Sequence, residues 1–256
     1  MLSYQHSYHA GGPADVHKHL ALAEILSLLT VKDRGISYLE THAGRGLYHL
    51  DGEEAQKTGE AAEGIGLVDK DQEGAFFQAL KLTRSAYGEV AYPGSPMVAS
   101  SVLRAQDRIV LMEKHPQEVA ALRRAMKRTQ AEVHARDGYE GALAVSPLEP
   151  RRGLVLIDPS YEVKTEYAAA GKLAARLHKR WGEAAIVLWY PILKAGRHEE
   201  IFAALDVDAL RHEVQFDLKG GVGMVGSGLA IVAPPYGTEA ALQRVMEQGD
   251  PVLRKA

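Results

Sequence analysis

The segment Gly153-Leu-Val-Leu-Ile-Asp158-Pro159-Ser160-Tyr161-Glu162 joins an unbroken apolar run to an acid, a proline and an aromatic ring. Such a run predicts a strand buried on both faces. In an open α/β sheet, the side chains just past a strand's carboxyl end are the ones that meet ligands. An acid-Pro-x-aromatic tetrad suits a flat ring bearing an amino group. The Asp158 carboxylate can accept a hydrogen bond from an exocyclic NH2. Pro159 withholds a competing N–H and leaves its carbonyl as a second acceptor, while Tyr161 can stack on the ring face. Asp-Pro-Ser is also ordinary turn chemistry, so the tetrad alone leaves a purely structural role open.

Acids and glycines recur after three other short runs. Glu40 precedes Gly44 and Gly46, Glu113 closes residues 108–112, and Asp137-Gly138 follows residues 131–134. A Gly-x-Gly turn lets a ligand approach the backbone, and an acid at the next strand end suits ribose hydroxyls. The nicotinamide pattern Gly-x-Gly-x-x-Gly is not met, because Leu47, Tyr48 and His49 follow Gly46. S-adenosylmethionine, with ribose and adenine but no pyrophosphate, is the better match. Its carboxylate suits a helix opened by Ser95, whose hydroxyl and N–H groups would form an anion site, and its adenine amino group suits Asp137.

Six of the eleven histidines fall in the first 50 residues: His6, His9, His17, His19, His42 and His49. His6-x-x-His9 and His17-x-His19 could each bring two imidazoles to one ion. The spacings match no zinc motif and no carboxylate-rich set accompanies them, so no metal is expected. Lys18 and His19 read either as polar contacts to a charged cofactor or substrate, or as surface positions of a first helix. The cations Arg123, Arg124, Lys127 and Arg128, the pair Arg151-Arg152, and Lys172, Arg176, Lys179 and Arg180 are candidate nucleic-acid contacts or ordinary solvated faces.

Positioning these groups requires α/β alternation. Gly12 and Pro13 open a helix that runs to Gly35, with Val16, Leu20, Ala23, Leu26 and Leu29 at helical spacing. A short strand at 36–40 follows. Residues 51–73 hold eight acids against Lys57 and Lys70 and predict a mostly helical acidic insertion continuing to about Gly88. Alternation then resumes: helix from Ser95-Pro96, strand 108–112, helix 116–127, strand 131–134, the tetrad strand, helix 166–180, strand 185–190 and helix 199–204. A closing strand pair, 210–218 and 228–233, flanks a glycine-rich hairpin tip at 220–228. The fold class implied is α/β, doubly wound and mostly parallel with an antiparallel edge.

The 256 residues suffice for one core with an insertion. The chain has no cysteine, which excludes disulfides, thiolate metal sites and cysteine nucleophiles. Its net charge of -3 argues against indiscriminate coating of nucleic acid, so such contacts would be local. The opening residues lack a signal-peptide layout and no apolar stretch has membrane-spanning length, so a cytoplasmic protein with no membrane partner is expected.

In order along the chain, Met1-Leu-Ser-Tyr-Gln-His-Ser-Tyr-His-Ala-Gly-Gly-Pro-Ala-Asp-Val-His-Lys-His19, Tyr38-Leu-Glu-Thr-His-Ala-Gly-Arg-Gly46, Tyr92-Pro-Gly-Ser-Pro96, Glu113-Lys-His-Pro116, Asp137-Gly138, Arg151 through Thr165 and Leu188-Trp-Tyr-Pro191 form a connected set. In these residues the chain resembles the bacterial RlmJ-type methyltransferases, which make N6-methyladenosine in 23S ribosomal RNA. The resemblance implies a Rossmann-like methyltransferase domain (residues 1–46 and 92–256) with a small helical subdomain inserted at 47–91. It also implies S-adenosylmethionine contacts at Lys18, His19, His42, Ser95, Glu113, Asp137, Gly138 and Asp158, a substrate-side role for Tyr4, and a monomer acting on protein-free or early-assembly 23S ribosomal RNA. Gly44 joins the cofactor set through its Gly-x-Gly turn. Two departures stand out: Ser160 replaces the second proline of the usual Asp-Pro-Pro-Tyr, and Gly11-Gly12-Pro13 replaces Gly-Asn-His. A DNA adenine methyltransferase and a non-catalytic RNA-binding protein that kept the fold are the alternatives. A metal hydrolase and a nicotinamide oxidoreductase fit less well.

Overall fold

The computed structural model describes residues 6–69, 71–216 and 223–256. Helix α1 (Pro13–Thr30) starts as expected, with Gly12 extended at its N-cap and Pro13 in its first turn. It is buried on nearly every face because α4 (Ala75–Tyr87), α5 (Ser95–Val102), α10 (Thr238–Gln248) and the sheet all pack on it. It stops five residues short of Gly35. The Arg104 guanidinium explains the early stop, donating to the carbonyls of Thr30, Lys32 and Arg34 and so satisfying the helix end.

Five strands run parallel in the order β5 (Glu132–Ala135), β4 (Arg108–Glu113), β1 (Ser37–Glu40), β6 (Gly153–Ile157), β7 (Ala184–Leu193). Antiparallel β9 (Met224–Val232), β8 (Ala209–Gln215) and β10 (Arg254–Lys255) extend the β7 edge. From β1 the chain winds outward through β4 to β5, then returns to β6 on the other side of β1 and continues to β7. The direction of winding therefore reverses between β1 and β6, where open α/β sheets form a crevice outside the strand ends. Helices α6 (Pro116–Ala125), α7 (Gly138–Val145), α8 (Glu166–Arg180) and α9 (Glu199–Leu205) complete the layers. Every residue of β1 and β6 is buried, as strands covered on both faces must be.

The acidic stretch folds as two short helices, α2 (Glu53–Thr58) and α3 (Glu60–Glu63), before α4. The segment leaves and rejoins the frame through an antiparallel ribbon of β2 (Leu47–His49) and β3 (Ala91–Pro93) that had not been expected, since three-residue strands carry too little alternation to read. Phe76, Phe77 and Leu80 of α4 join the main core.

Two expectations need correction. Gly226 and Gly228 lie inside β9, not in a hairpin tip. A Cβ at Gly228 would fall 2.1 Å from the Tyr190 ring, so the strand needs a residue without a side chain there. Residues 217–222 lie outside the described residues. Arg151 and Arg152 precede β6, which places them at the opposite end of the sheet from Asp158, roughly 20 Å away at strand rise. There Arg151 pairs with Glu183 and Arg152 bonds the Leu29 carbonyl.

Candidate active site

Asp158 emerges from the end of β6 at the crevice, and helix α1 presents Lys18 to it. The Lys18 Nζ lies 2.7 Å from Asp158 Oδ2 and 2.9 Å from Asp15 Oδ1, with the lysine 3% exposed. Spacing of i,i+3 on α1 puts Asp15 and Lys18 on one face. His6 donates through Nε2 to Asp15, 2.9 Å from each oxygen, which completes a chain His6–Asp15–Lys18–Asp158. Burial opposes charge on Asp15, yet His6 and Lys18 hold its carboxyl well below the usual carboxylate range. Burial likewise opposes charge on Lys18, and Asp15 and Asp158 outweigh it to push the amine above its ordinary value. The ammonium also stands 5.4 Å from the centre of the Trp189 ring. Asp158 is thus clamped through Oδ2, while Oδ1 carries no hydrogen bond among the described residues.

Pro159 and Ser160 continue the cavity wall. Ser160 and Glu166, at the start of α8, line the same cavity, and the serine hydroxyl partly offsets the burial that raises the Glu166 pKa. Tyr161 takes a left-handed backbone, φ +56°, and its ring packs against Tyr167 and Trp189 with centroids 4.6 and 6.0 Å away. Its hydroxyl donates to the Trp189 carbonyl at 2.6 Å, and 9% of the residue stays exposed.

Across the crevice, the turn after β1 carries Gly44 at φ +60°. Its N–H donates to Glu113 Oε2 at 2.8 Å, and Glu113 Oε1 accepts from the N–H groups of Lys114 and His115. Glu113 therefore joins the β1 turn to the β4 end. Asp137 caps α7, with Oδ1 accepting from Tyr139 and Glu140 N–H and Oδ2 bound by Lys114 at 2.9 Å. Burial works against its charge, and these partners hold its carboxyl below the ordinary value. A Cβ at Gly138 would fall 1.9 Å from the Thr41 carbonyl oxygen, so only glycine lets the β5 turn approach the β1 turn this closely. His42 meets the Tyr139 ring edge-on at 5.1 Å, and burial lowers its pKa to about 4 against the pull of Asp158 and Asp137. Together with Lys18, His19 and Ser95, these groups line one cavity of about 210 Å³ that spans the crevice.

Comparison with known proteins places this arrangement. The family model described as "Ribosomal RNA large subunit methyltransferase D, RlmJ" matches residues 33–254. The ribosomal RNA large subunit methyltransferases J of Haemophilus influenzae and of Escherichia coli K12 are each 36% identical, over 96% of this chain and 92% of their own length. The chain belongs to the RlmJ family. Protein LPL1258 of Legionella pneumophila, known from its crystal structure, has the same fold as this RlmJ-family chain, with a TM-score of 0.81 at 30% identity over 97% of this chain and 98% of that one. As an RlmJ-family protein it is an S-adenosylmethionine-dependent methyltransferase. The cavity suits that cofactor: acids stand at successive strand ends, an imidazole and a phenol offer flat surface, and glycines sit where side chains would block the backbone.

The RlmJ-family site gathers ten of the expected residues (Lys18, His19, His42, Gly44, Ser95, Glu113, Asp137, Gly138, Asp158 and Pro159) on one cavity, with Tyr161 packed behind its wall. Tyr4 lies outside the described residues. Ser95 is corrected in detail: Gly94 occupies the cap of α5, and the Ser95 hydroxyl donates to the buried Glu40 carboxylate instead of facing an anion. Burial raises the Glu40 pKa to about 8, although Ser95 and Tyr38 hydrogen bonds stabilise its charge. His19 bonds the Tyr92 hydroxyl at 2.8 Å, and burial lowers its pKa to about 3. The N-terminal histidines take separate partners: His6 with Asp15, His9 with Glu60, and His17 with Ser227 and His212. Sequence reading overlooked Asp15, Trp189 and Glu166. Only Asp15, three residues before Lys18 on a helical face, carried a usable spacing signal.

Proposed function

We propose that the chain transfers a methyl group from S-adenosylmethionine to the N6 of an adenine in 23S ribosomal RNA, with Asp158, Pro159 and Tyr161 as the catalytic set. The carrying observation is the half-used Asp158 carboxylate, held through one oxygen by a buried ammonium and open through the other toward the cavity. The bound cofactor supplies an electrophilic methyl on a sulfonium. Asp158 Oδ1 and the Pro159 carbonyl would accept the two N6 hydrogens and turn the nitrogen lone pair toward that methyl. Asp158 would then receive the proton lost as N6 becomes cationic. Tyr161 would support an adenine taken out of its stack, as enzymes acting on bases require. Lys18, His19, His42, Gly44, Ser95, Glu113, Asp137 and Gly138 would hold the cofactor. Glu113 suits its ribose and Asp137 its adenine amino group, and Tyr4 would contact substrate.

In this reading residues 1–46 and 92–256 form the methyltransferase frame, residues 47–91 form an inserted helical subdomain, and the protein acts as a monomer in the cytoplasm. No described helix is long and apolar enough to cross a membrane. The test is methyl transfer from labelled S-adenosylmethionine to protein-free 23S ribosomal RNA, intact subunits and duplex DNA, with nucleoside analysis. N6-methyladenosine in the free RNA alone is expected. Labelled duplex DNA, or no transfer by a protein that binds the cofactor, would overturn the reading.

A further inference from the structure

His17 precedes Lys18 on α1, is fully buried, and takes no part in the chemistry above. Its Nδ1 lies 2.9 Å from Ser227 Oγ on β9, and its Nε2 lies 3.0 Å from Nδ1 of His212 on β8. The Trp189 indole N–H donates to the same Ser227 oxygen at 2.8 Å. Trp189, Leu229 and His212 are register partners in one row across β7, β9 and β8, so these groups share the sheet face that α1 covers. Trp189 also supplies the ring beside the Lys18 ammonium and the carbonyl that anchors the Tyr161 hydroxyl.

The proton directions follow from donor chemistry. An indole N–H only donates, so Ser227 Oγ accepts from Trp189. Among the described residues, the acceptor in reach of the Ser227 proton is His17 Nδ1. His17 is then the Nε2–H tautomer and donates to Nδ1 of a neutral His212. We propose that His17 is a positioning residue for methyl transfer: the directed chain Trp189 to Ser227 to His17 to His212 fixes the indole against which Lys18 and Asp158 are set, and a proton on His212 Nδ1 breaks that chain.

A protonated His212 would aim N–H at N–H. Relief requires His17 to change tautomer, which turns a second donor onto Ser227 Oγ and leaves the serine proton without an acceptor among the described residues. A buried donor stranded in this way is costly, so the indole loses its fixed partner. Surrounding charges do not offset the change. On α1, Lys18 and Asp15 pair toward Asp158, and His19 bonds Tyr92. From β9 and β7 the facing groups are Ser227 and Trp189. On β8, Arg211 and Glu213 alternate to the other face, where they pair with each other, with Tyr190 and with Glu199 of α9. Burial keeps both imidazoles below their ordinary pKa, consistent with a neutral chain near pH 7.

The inference rests on the methyl-transfer reading of Asp158, so its test has one arm that needs no methyl acceptor. The Trp189 indole N–H resonance, assigned by its absence in Trp189→Phe, is followed by NMR from pH 8 to 5 beside kcat for RNA methylation. In the unaltered chain both should change together as His212 takes a proton below about pH 6.5. His212→Asn keeps an acceptor oxygen near the Nδ1 position and cannot take the proton, so the joint transition should vanish. His17→Phe should lower kcat roughly tenfold, the worth of a buried hydrogen bond, with the KM for S-adenosylmethionine changed less than about twofold. His17→Asn keeps the acceptor toward Ser227 and should recover part of kcat. An indole transition that survives His212→Asn would overturn the chain, as would unaltered kcat in a His17→Phe protein that still binds cofactor. Absence of methylation by the unaltered chain would instead defeat the methyl-transfer reading, while the resonance still decides the chain.

Discussion

At Asp158 one carboxylate oxygen is held by Lys18 and the other is proposed to meet the substrate, and replacing the residue separates the two. Asp158→Ala leaves Lys18 paired with Asp15 and should fold, yet it removes the proposed acceptor for N6. A loss of roughly 10²–10⁴-fold in kcat is expected, with a smaller change in cofactor affinity, read by single-turnover methylation and calorimetry. Lys18→Met leaves Asp15 and Asp158 facing each other without their shared cation. Breaking a buried pair in this way costs about 3–5 kcal/mol, and urea unfolding should register it together with lost activity. Unaltered stability in Lys18→Met would show that the clamp bears no strain. Asp158 and Glu113 were legible in the sequence because each ends an apolar run, and Asp137 because it stands before a glycine just past a short strand. Trp189 and Glu166 were not, because their importance comes from neighbours distant along the chain.

Among the elements, the frame was readable wherever a strand was apolar throughout or a helix carried a periodic face. Helix α8 falls at its expected bounds, whereas α7 and α10 were missed and β2 and β3 are too short to show alternation. What no pattern could reveal is how closely two turns approach. The β5 and β1 turns touch at Gly138 and Thr41, so a methyl group there has nowhere to go. Gly138→Ala should destabilise the protein by about 1–3 kcal/mol and weaken S-adenosylmethionine binding more than it lowers kcat at saturation. Thermal unfolding with and without cofactor measures both. Cofactor binding unchanged in that variant would mean that the two turns do not act as one wall.

For the whole molecule, buried titratable groups set opposing slopes of stability with pH. Burial keeps His17, His19 and His42 neutral in the fold, with His19 at about 3 and His42 at about 4, while the unfolded chain protonates them below about 6.5. Their contribution is present above that pH and lost as pH falls. Glu40 acts in reverse: its folded pKa of about 8 exceeds the unfolded value, so its contribution is present at low pH and lost as pH rises through 8. Stability of the cofactor-free protein should therefore peak near pH 6.5. It should fall by roughly two to three net protons on the acid side, where the lowered His212 joins the other histidines, and by roughly one to two on the alkaline side, where the raised His9 joins Glu40, each worth about 1.4 kcal/mol per pH unit. Urea unfolding from pH 5 to 8 tests this, and Glu40→Gln should flatten the alkaline limb; a flat profile throughout would refute it. One contact has a wider reach. The Gly94 N–H donates to the Gly46 carbonyl at 2.8 Å, so the segment 47–91 is tied at its end to the turn that follows β1. A partner that drew on this segment would load that glycine pair, and were the turn to hold the cofactor as proposed, reciprocity would oblige cofactor and partner to change each other's affinity by the same factor.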